Sequence, residues 1–398
     1  IRDRADYPIT HTFGWYPLQQ YLIPLSGGRL QSLGLAWDSR PADQGGQRWF
    51  HLYPDEPDMD HRHRLHWTAR DQTWNYQCAE CHSTNLQKNY DPAKDSYATS
   101  WNEIDVACEA CHGPGSGHLA WARGREPGQS VVAGDDLGLV LDLAEDPGVG
   151  WIIDPDSGKP RRSRPRSDQT QVEVCARCHA RRGQVWVPYE HGQPLHQSHR
   201  LALLEDELYF PDGQIKDEVY VYGSFLQSRM YQAGVVCSDC HEPHSLALRA
   251  EGDQVCARCH LPDRYADESH HHHAPDSTGA NCIACHMPQR AYMVIDERAD
   301  HSLRVPRPDL TLTLGSPNAC NQCHQDRDPA WALAALERWY GSQAPAPHFG
   351  QALHAAREDT PDAAQRLLAL AGDASQPAIA RATAVERLAE RPDPGQLM

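Results

Sequence analysis

The chain has 398 residues, enough for two or three domains, and a formal net charge of −17 from 37 basic and 54 acidic side chains. That acidity argues against nucleic acid as a partner and favours a basic or metal-bearing one. Only 40% of the residues are apolar, and no stretch approaches the roughly 18 apolar residues of a membrane span.

Residues 1–75 contain no cysteine. Apolar-aromatic runs at 13–16, 21–23, 33–37 and 48–53 are separated by Gly-Gly and Pro-Ala-Asp turns. This pattern predicts short strands and a small β-rich N-terminal cap. An ordinary cap is the expectation, with aromatic cover for a cofactor face as the alternative.

Residues 76–330 hold all 14 cysteines, and every one belongs to a Cys-x-x-Cys-His pentapeptide. In chain order, sites I to VII are Cys78/Cys81/His82, Cys108/Cys111/His112, Cys175/Cys178/His179, Cys237/Cys240/His241, Cys256/Cys259/His260, Cys282/Cys285/His286 and Cys320/Cys323/His324. This is the attachment pattern of a c-type haem. Two thiols add to the porphyrin vinyl groups, and the adjoining imidazole reaches the iron. Structural zinc pairs such motifs in twos and needs no histidine after the second cysteine. A disulfide scaffold gains little from two-residue loops, and a thioredoxin-type motif occurs once. The expected cofactor is therefore seven haem c groups.

These sites span residues 78–324, too little polypeptide to bury a separate core around each cofactor. The expected fold is mainly α with extensive loop and little regular structure, a multihaem cytochrome c wrapped around a haem stack. The long gaps at 124–150 and 155–168 read as loops. The run Arg161, Arg162, Arg164 and Arg166 is expected to be a solvated loop, with propionate pairing or partner docking as alternatives. Residues 220–231 read as one helix leading into site IV.

Residues 331–398 change to alanine and leucine at helical spacing, in runs at 332–336, 363–368 and 379–385. Pro361 and Pro377 suit first-turn positions, and Thr360 suits an N-cap. The segment reads as an α-helical repeat of TPR or HEAT type. The turn at 392–395 leads the reading to a segment cut short of its capping repeat.

Seventeen histidines remain outside the motifs, against five methionines. Bis-histidine iron at low potential should therefore dominate, since methionine ligation raises potential. The candidates for the second axial ligand are His66, His118, His199 or its neighbour His196, His244, His301 and one or two of residues 270–273, in particular His270 and His273. Met230 is a weaker option. His11, His51, His348 and His354 read as structural or surface residues.

The segments Cys-Ala-Glu-Cys-His-Ser-Thr-Asn-Leu from Cys78, Cys-Glu-Ala-Cys-His-Gly-Pro-Gly-Ser from Cys108 and Cys-Ile-Ala-Cys-His-Met-Pro from Cys282 resemble bacterial multihaem cytochromes. The relatives are cytochrome c554 and the octahaem hydroxylamine-oxidoreductase-like group, in the version with C-terminal helical repeats. The resemblance covers most of residues 10–330. It implies stacked and perpendicular haem pairs, and a further Cys-x-x-Cys-His ahead of this region, so a trimmed N-terminus is expected.

Two functions follow. The first is a carrier passing electrons in respiratory or extracellular transfer, periplasmic or at the cell surface because covalent haem attachment follows export. Its partners would be redox proteins or neighbouring subunits, with a homo-oligomer or wire-like filament as an extension. The second is an oxidoreductase acting on a small nitrogen or sulfur compound at one five-coordinate haem. No catalytic residue is identifiable from the sequence.

Overall fold

Helix accounts for 32% and strand for 17% of the described residues, so turn and loop carry about half of them. The computed structural model describes residues 5–56, 58–125, 137–146, 148–342 and 346–391; the expected turn at 392–395 and residues 126–136 of the 124–150 loop lie outside the described residues. The chain divides into two units, residues 1–143 with 291–297, and residues 144–290 with 298–398.

The first unit begins with a five-stranded antiparallel sheet. Its strands are β1 (His11–Phe13), β2 (Leu18–Leu25), β3 (Arg29–Ser32), β4 (Leu35–Asp38) and β5 (Arg48–His51), in the order β1-β2-β4-β5 with β3 also paired to β2. Strand β2 alternates, burying Leu18, Gln20 and Leu22 on one face, as a pleat with period two requires. Leu18, Ala36, Phe50, Leu52 and Ile295 form one core cluster. Leu22, Trp74 and Ala79 form a second, with Cys78 and Trp101 against it.

Two hydrogen bonds turn this sheet into a mount for site I. Trp74 N–H donates to the Leu30 carbonyl at 2.8 Å, and Leu30 N–H donates to Asn75 Oδ1 at 2.7 Å. Asn75 Nδ2 in turn donates to Gly28 O and Thr99 Oγ1. The turn that begins at Cys78 is thereby tied to β3. At the far edge Asp38, with a fully buried side chain, is held by Arg40 and Arg48. The hydrogen bond from Arg40 is the main cause that keeps this carboxyl below its usual range.

In the second unit most helices are a turn or two long. The longest are Pro329–Tyr340 and Ala378–Ala389, of 12 residues each. With Gly350–Arg357 and Ala363–Gly372 they carry the C-terminal part, and from residue 350 on each packs on the next. Ala363, Leu367, Ala380 and Ala384 are fully buried between them. The Thr383 hydroxyl accepts from Leu204 N–H at 3.1 Å, and Asp206 pairs with Arg357 and Arg387 at 2.8 and 2.6 Å. These bonds hold the helices on the 204–209 segment.

Four local expectations are corrected. Residues 220–231 form two short helices, Tyr222–Phe225 and Arg229–Gln232. Ser228 breaks the run by turning extended and accepting from Tyr231 N–H, an N-cap that starts a new helix. Thr360 is not a cap, because the helix begins at Ala363 and the Thr360 hydroxyl donates to Asp362 instead. Pro377 stands one place before its helix, with extended backbone, rather than inside the first turn. The arginine run is only partly a solvated loop, with Arg161 and Arg164 exposed. Arg162 and Arg166, with side chains 5% and 11% exposed, both pair with Glu145, and Arg164 pairs with Asp146 at 2.6 Å. Burying two guanidiniums requires a shared carboxylate between them.

Candidate haem sites

Each attachment motif sits on one helical turn, because two intervening residues bring both sulfurs to one side. At site I the turn closes on the Cys78 carbonyl, which accepts from Cys81 N–H at 3.1 Å and from His82 N–H at 3.2 Å. A two-residue ladder follows at once, Ser83–Thr84 against Glu103–Ile104. The Thr84 hydroxyl donates to Asp105 O and accepts from Ala107 N–H. This ladder places the helix of site II, Cys108–His112, beside site I. Cys111 stands in that helix and Cys178 in the last turn of Thr170–His179 at site III. Cys81, Cys111 and Cys178 are all half-buried, and none of the 14 cysteines is in a disulfide. The second sulfurs of sites I to III thus lie neither sealed in the core nor cross-linked, the condition that thioether formation sets.

Gly113 ends the helix of site II with φ +74°, and Ser116–Arg123 follows, carrying His118. His112 Nδ1 donates to Leu141 O at 2.9 Å, and His118 Nδ1 donates to Leu137 O at 2.7 Å. One short segment thus orients both rings. Gly138, between those carbonyls, has φ +66°, and a β-carbon on it would fall 2.6 Å from Gly117 O, so only glycine fits. A proton fixed on Nδ1 leaves the lone pair on Nε2, the tautomer a metal-binding imidazole needs.

The second unit holds sites III to VII, and their cysteines adjoin in chain order. Site III ends the helix Thr170–His179, whose Val172 packs with Phe225 and Val236, and with Cys237 at the rim. The thiols of Cys175 and Cys237 are hydrogen-bonded to each other, joining III to IV. The same relation joins Cys256 to Cys282, between V and VI. Cys256 and Cys259 lie near Cys240, and Cys320 and Cys323 near Cys285. Burial pushes the Cys240 thiol up to about 11. Acidic side chains set the entries to these turns. Asp239 accepts from Val236 N–H at 2.9 Å, and Asp253 accepts from Cys282 N–H at 3.0 Å.

Three motif histidines face a second imidazole. The rings of His241 and His301 lie 6.4 Å apart with planes at 27°. His286 and His270 lie 6.1 Å apart at 13°, and His324 and His273 lie 6.1 Å apart at 32°. Two imidazoles bound on opposite sides of one metal, at about 2.0 Å each, have centroids roughly 6.2 Å apart. Direct ring stacking would bring them much closer, so each pair leaves room for one metal atom. Nδ1 of His286, His301 and His273 donates to Arg304 O (2.7 Å), Ala299 O (2.9 Å) and His271 O respectively. Burial holds His82, His179, His241, His260, His270 and His301 below the usual histidine range, which keeps them neutral as ligands must be. The donor set therefore fits haem c.

The other candidates have local surroundings. His199 is fully buried, with Nδ1 hydrogen-bonded to Ser198 Oγ at 2.8 Å, and its ring is 6.2 Å from that of Tyr189. His66 Nδ1 is 2.8 Å from Thr68 Oγ1 and accepts from Thr68 N–H at 3.3 Å. The His244 side chain is 79% exposed and pairs with Glu242 at 3.2 Å. His260 meets the edge of Tyr265 at 5.6 Å, and His82 the edge of Phe13 at 5.3 Å. His348 Nδ1 accepts from Gly350 N–H at 3.1 Å, and burial lowers its pKa to about 4. What the sequence did not show is the second set of contacts on the histidines facing sites VI and VII: the aromatic residues of the Pro329–Tyr340 helix, and the carbonyls that receive Nδ1–H.

Residues 48–113 match the family described as cytochrome c554 and c-prime, and residues 231–264 match the doubled CXXCH motif. No curated protein matches the chain. Among solved structures, the outer cell wall cytochrome OcwA is similar over 94% of this chain and 84% of its own, with a TM-score of 0.52 and 16% identity, a likeness of fold. The attachment motifs and these likenesses together support a multihaem c-type cytochrome.

Proposed function

We propose that the chain carries electrons through seven haem c groups at sites I to VII, most of them bis-histidine, in respiratory or extracellular transfer. The observation that carries this reading is the set of three facing imidazole pairs, on sites whose cysteines adjoin in chain order. Haem, when bound, supplies a one-electron iron centre. The motif cysteines would fasten it, and the motif histidines, with His301, His270 and His273, would hold it through neutral nitrogen. At sites I to III the second thioether would form at Cys81, Cys111 and Cys178. Carbonyls such as Arg304 O take the Nδ1 proton, which fixes the ring and raises its basicity. Paired imidazoles without methionine favour a low potential.

A net charge of −17 suits a basic redox partner, drawn in by long-range attraction. Residues 331–398 would form a TPR- or HEAT-like repeat that docks a partner or a neighbouring subunit, in a homo-oligomer or filament. A location outside the cytoplasmic membrane is supported by haem attachment after export and by likeness to an outer cell wall cytochrome. Among the described residues no helix is long and apolar enough to cross a membrane.

Low-temperature EPR of the ferric holoprotein, together with film voltammetry, tests the reading. Low-spin signals throughout and reversible reduction at low potential are expected. A second reading, an oxidoreductase for a small nitrogen or sulfur compound, is favoured by His82 and His260, which meet the edges of Phe13 and Tyr265 where sites IV, VI and VII present an imidazole. A high-spin signal that responds to nitrite or hydroxylamine would establish that reading and overturn the pure carrier.

A further inference from the structure

His270 and His273 stand three residues apart, yet they face the motif histidines of two successive sites, His286 and His324. Little in the local chain holds this turn. Its helix, Glu268–His271, is four residues long, and His272 follows in a left-handed conformation at φ +56°, which a β-carbon disfavours. The restraint comes from another element.

That element is the Pro329–Tyr340 helix. In its last turn, the Trp339 indole stacks on the His272 ring at 4.3 Å with planes at 13°. The Tyr340 ring meets His272 edge-on at 5.4 Å, and its hydroxyl donates to the His270 carbonyl. In its first turn, Trp331 lies 4.8 Å from the His324 ring, with the Arg327 guanidinium over the indole at 5.9 Å. Asp328 fixes that end by accepting from Trp331 N–H at 2.8 Å. Residues 331 and 339 are about two turns and 12 Å apart. One rigid helix therefore touches His324 and, at its other end, the neighbour of the facing His273. On the remaining side, the backbone at Gly279 lies flat against His273: a β-carbon there would fall 2.2 Å from its Cδ2.

We infer that Trp339, Tyr340 and Gly279 are positioning residues for the second axial ligands of sites VI and VII. Trp339 and Tyr340 hold the shared turn, so ligation at the two sites is set by one element and is lost together. Gly279 acts on His273 alone. The inference rests on His270 and His273 being axial ligands, and a His273→Ala variant tests that premise separately.

The experiment counts carbon monoxide bound per chain of reduced holoprotein, with total haem measured alongside, because carbon monoxide binds ferrous haem only where an axial position opens. Relative to the wild type, His273→Ala gains one carbon monoxide per chain. Gly279→Ala gains one as well, Trp339→Ala gains two, and Trp339→Phe, which keeps a stacking ring, gains none. If His273→Ala gains none, the ligand premise fails. If it gains one while Trp339→Ala gains none, or one only, joint control by the helix fails. A lower haem count in Trp339→Ala with the remaining haems unchanged also overturns the inference, since the indole would then serve folding alone.

Discussion

The imidazole rings of His270 and His286 have centroids 6.1 Å apart and planes 13° from parallel. That separation exceeds ring stacking and matches two ligands on opposite sides of one metal atom. The two residues are 16 apart in sequence and on different helices, so the match is a product of packing.

Replacing a facing histidine should therefore change one haem and spare the rest. His270→Ala is expected to convert one haem per chain to high spin, and His301→Ala to do the same at site IV. EPR spin quantitation of each holoprotein checks both. His301→Met should instead keep the site IV haem low-spin and shift its potential positive, as methionine ligation does; a redox titration followed optically reads the shift.

Glu145 pairs with two guanidiniums whose side chains are almost fully buried. Removing one partner of a buried ion pair costs several kcal/mol because the other charge stays behind. Glu145 itself is 33% exposed, so solvent reduces the penalty. Glu145→Ala is expected to lower stability by about 2 kcal/mol in urea denaturation, with the haem count unchanged.

His348 gives a pH dependence of definite sign. Burial, the largest cause, lowers its pKa to about 4, with Asp212 opposing and Arg304 and Arg307 reinforcing. The unfolded imidazole titrates near 6.5. Between pH 6.5 and 4 the unfolded chain binds a proton that the folded chain refuses, so the folded state loses stability as pH falls. The loss approaches roughly 3 kcal/mol at the lower limit. Urea midpoints of the wild type and His348→Gln, compared at pH 7 and 4.5, should show the smaller decline in the variant.

Leu367 is fully buried among the C-terminal helices. Leu367→Ala should cost about 2–4 kcal/mol through lost burial and the cavity left behind. Proteolysis that begins within residues 350–389, with native haem spectra retained, is the expected outcome.

The candidate attachment motifs could be read residue by residue, because covalent haem attachment demands a fixed pentapeptide whatever the fold. The β-strands near Leu22, Trp37 and Phe50, and the helices around Leu336, Leu367 and Ala384, were legible because burial on one face imposes a period. Caps and turns were read less well. Thr360 and Pro377 carry suitable residue types, but a neighbour such as Asp362 competes for the same hydroxyl. Arg162 and Arg166 were misread because their partner Glu145 lies 17 residues from Arg162, and sequence pattern does not measure such proximity.

Of the second ligands, the sequence by itself could only offer a pool of 17 histidines. An imidazole becomes an axial ligand through its distance and angle to another imidazole, and these are set by packing between elements remote in the chain. Tertiary structure set His241 against His301 and His273 against His324, while it left His244 in solvent beside Glu242. The cofactor class was thus legible in a local covalent pattern, while the surroundings of each motif histidine were decided by long-range contact.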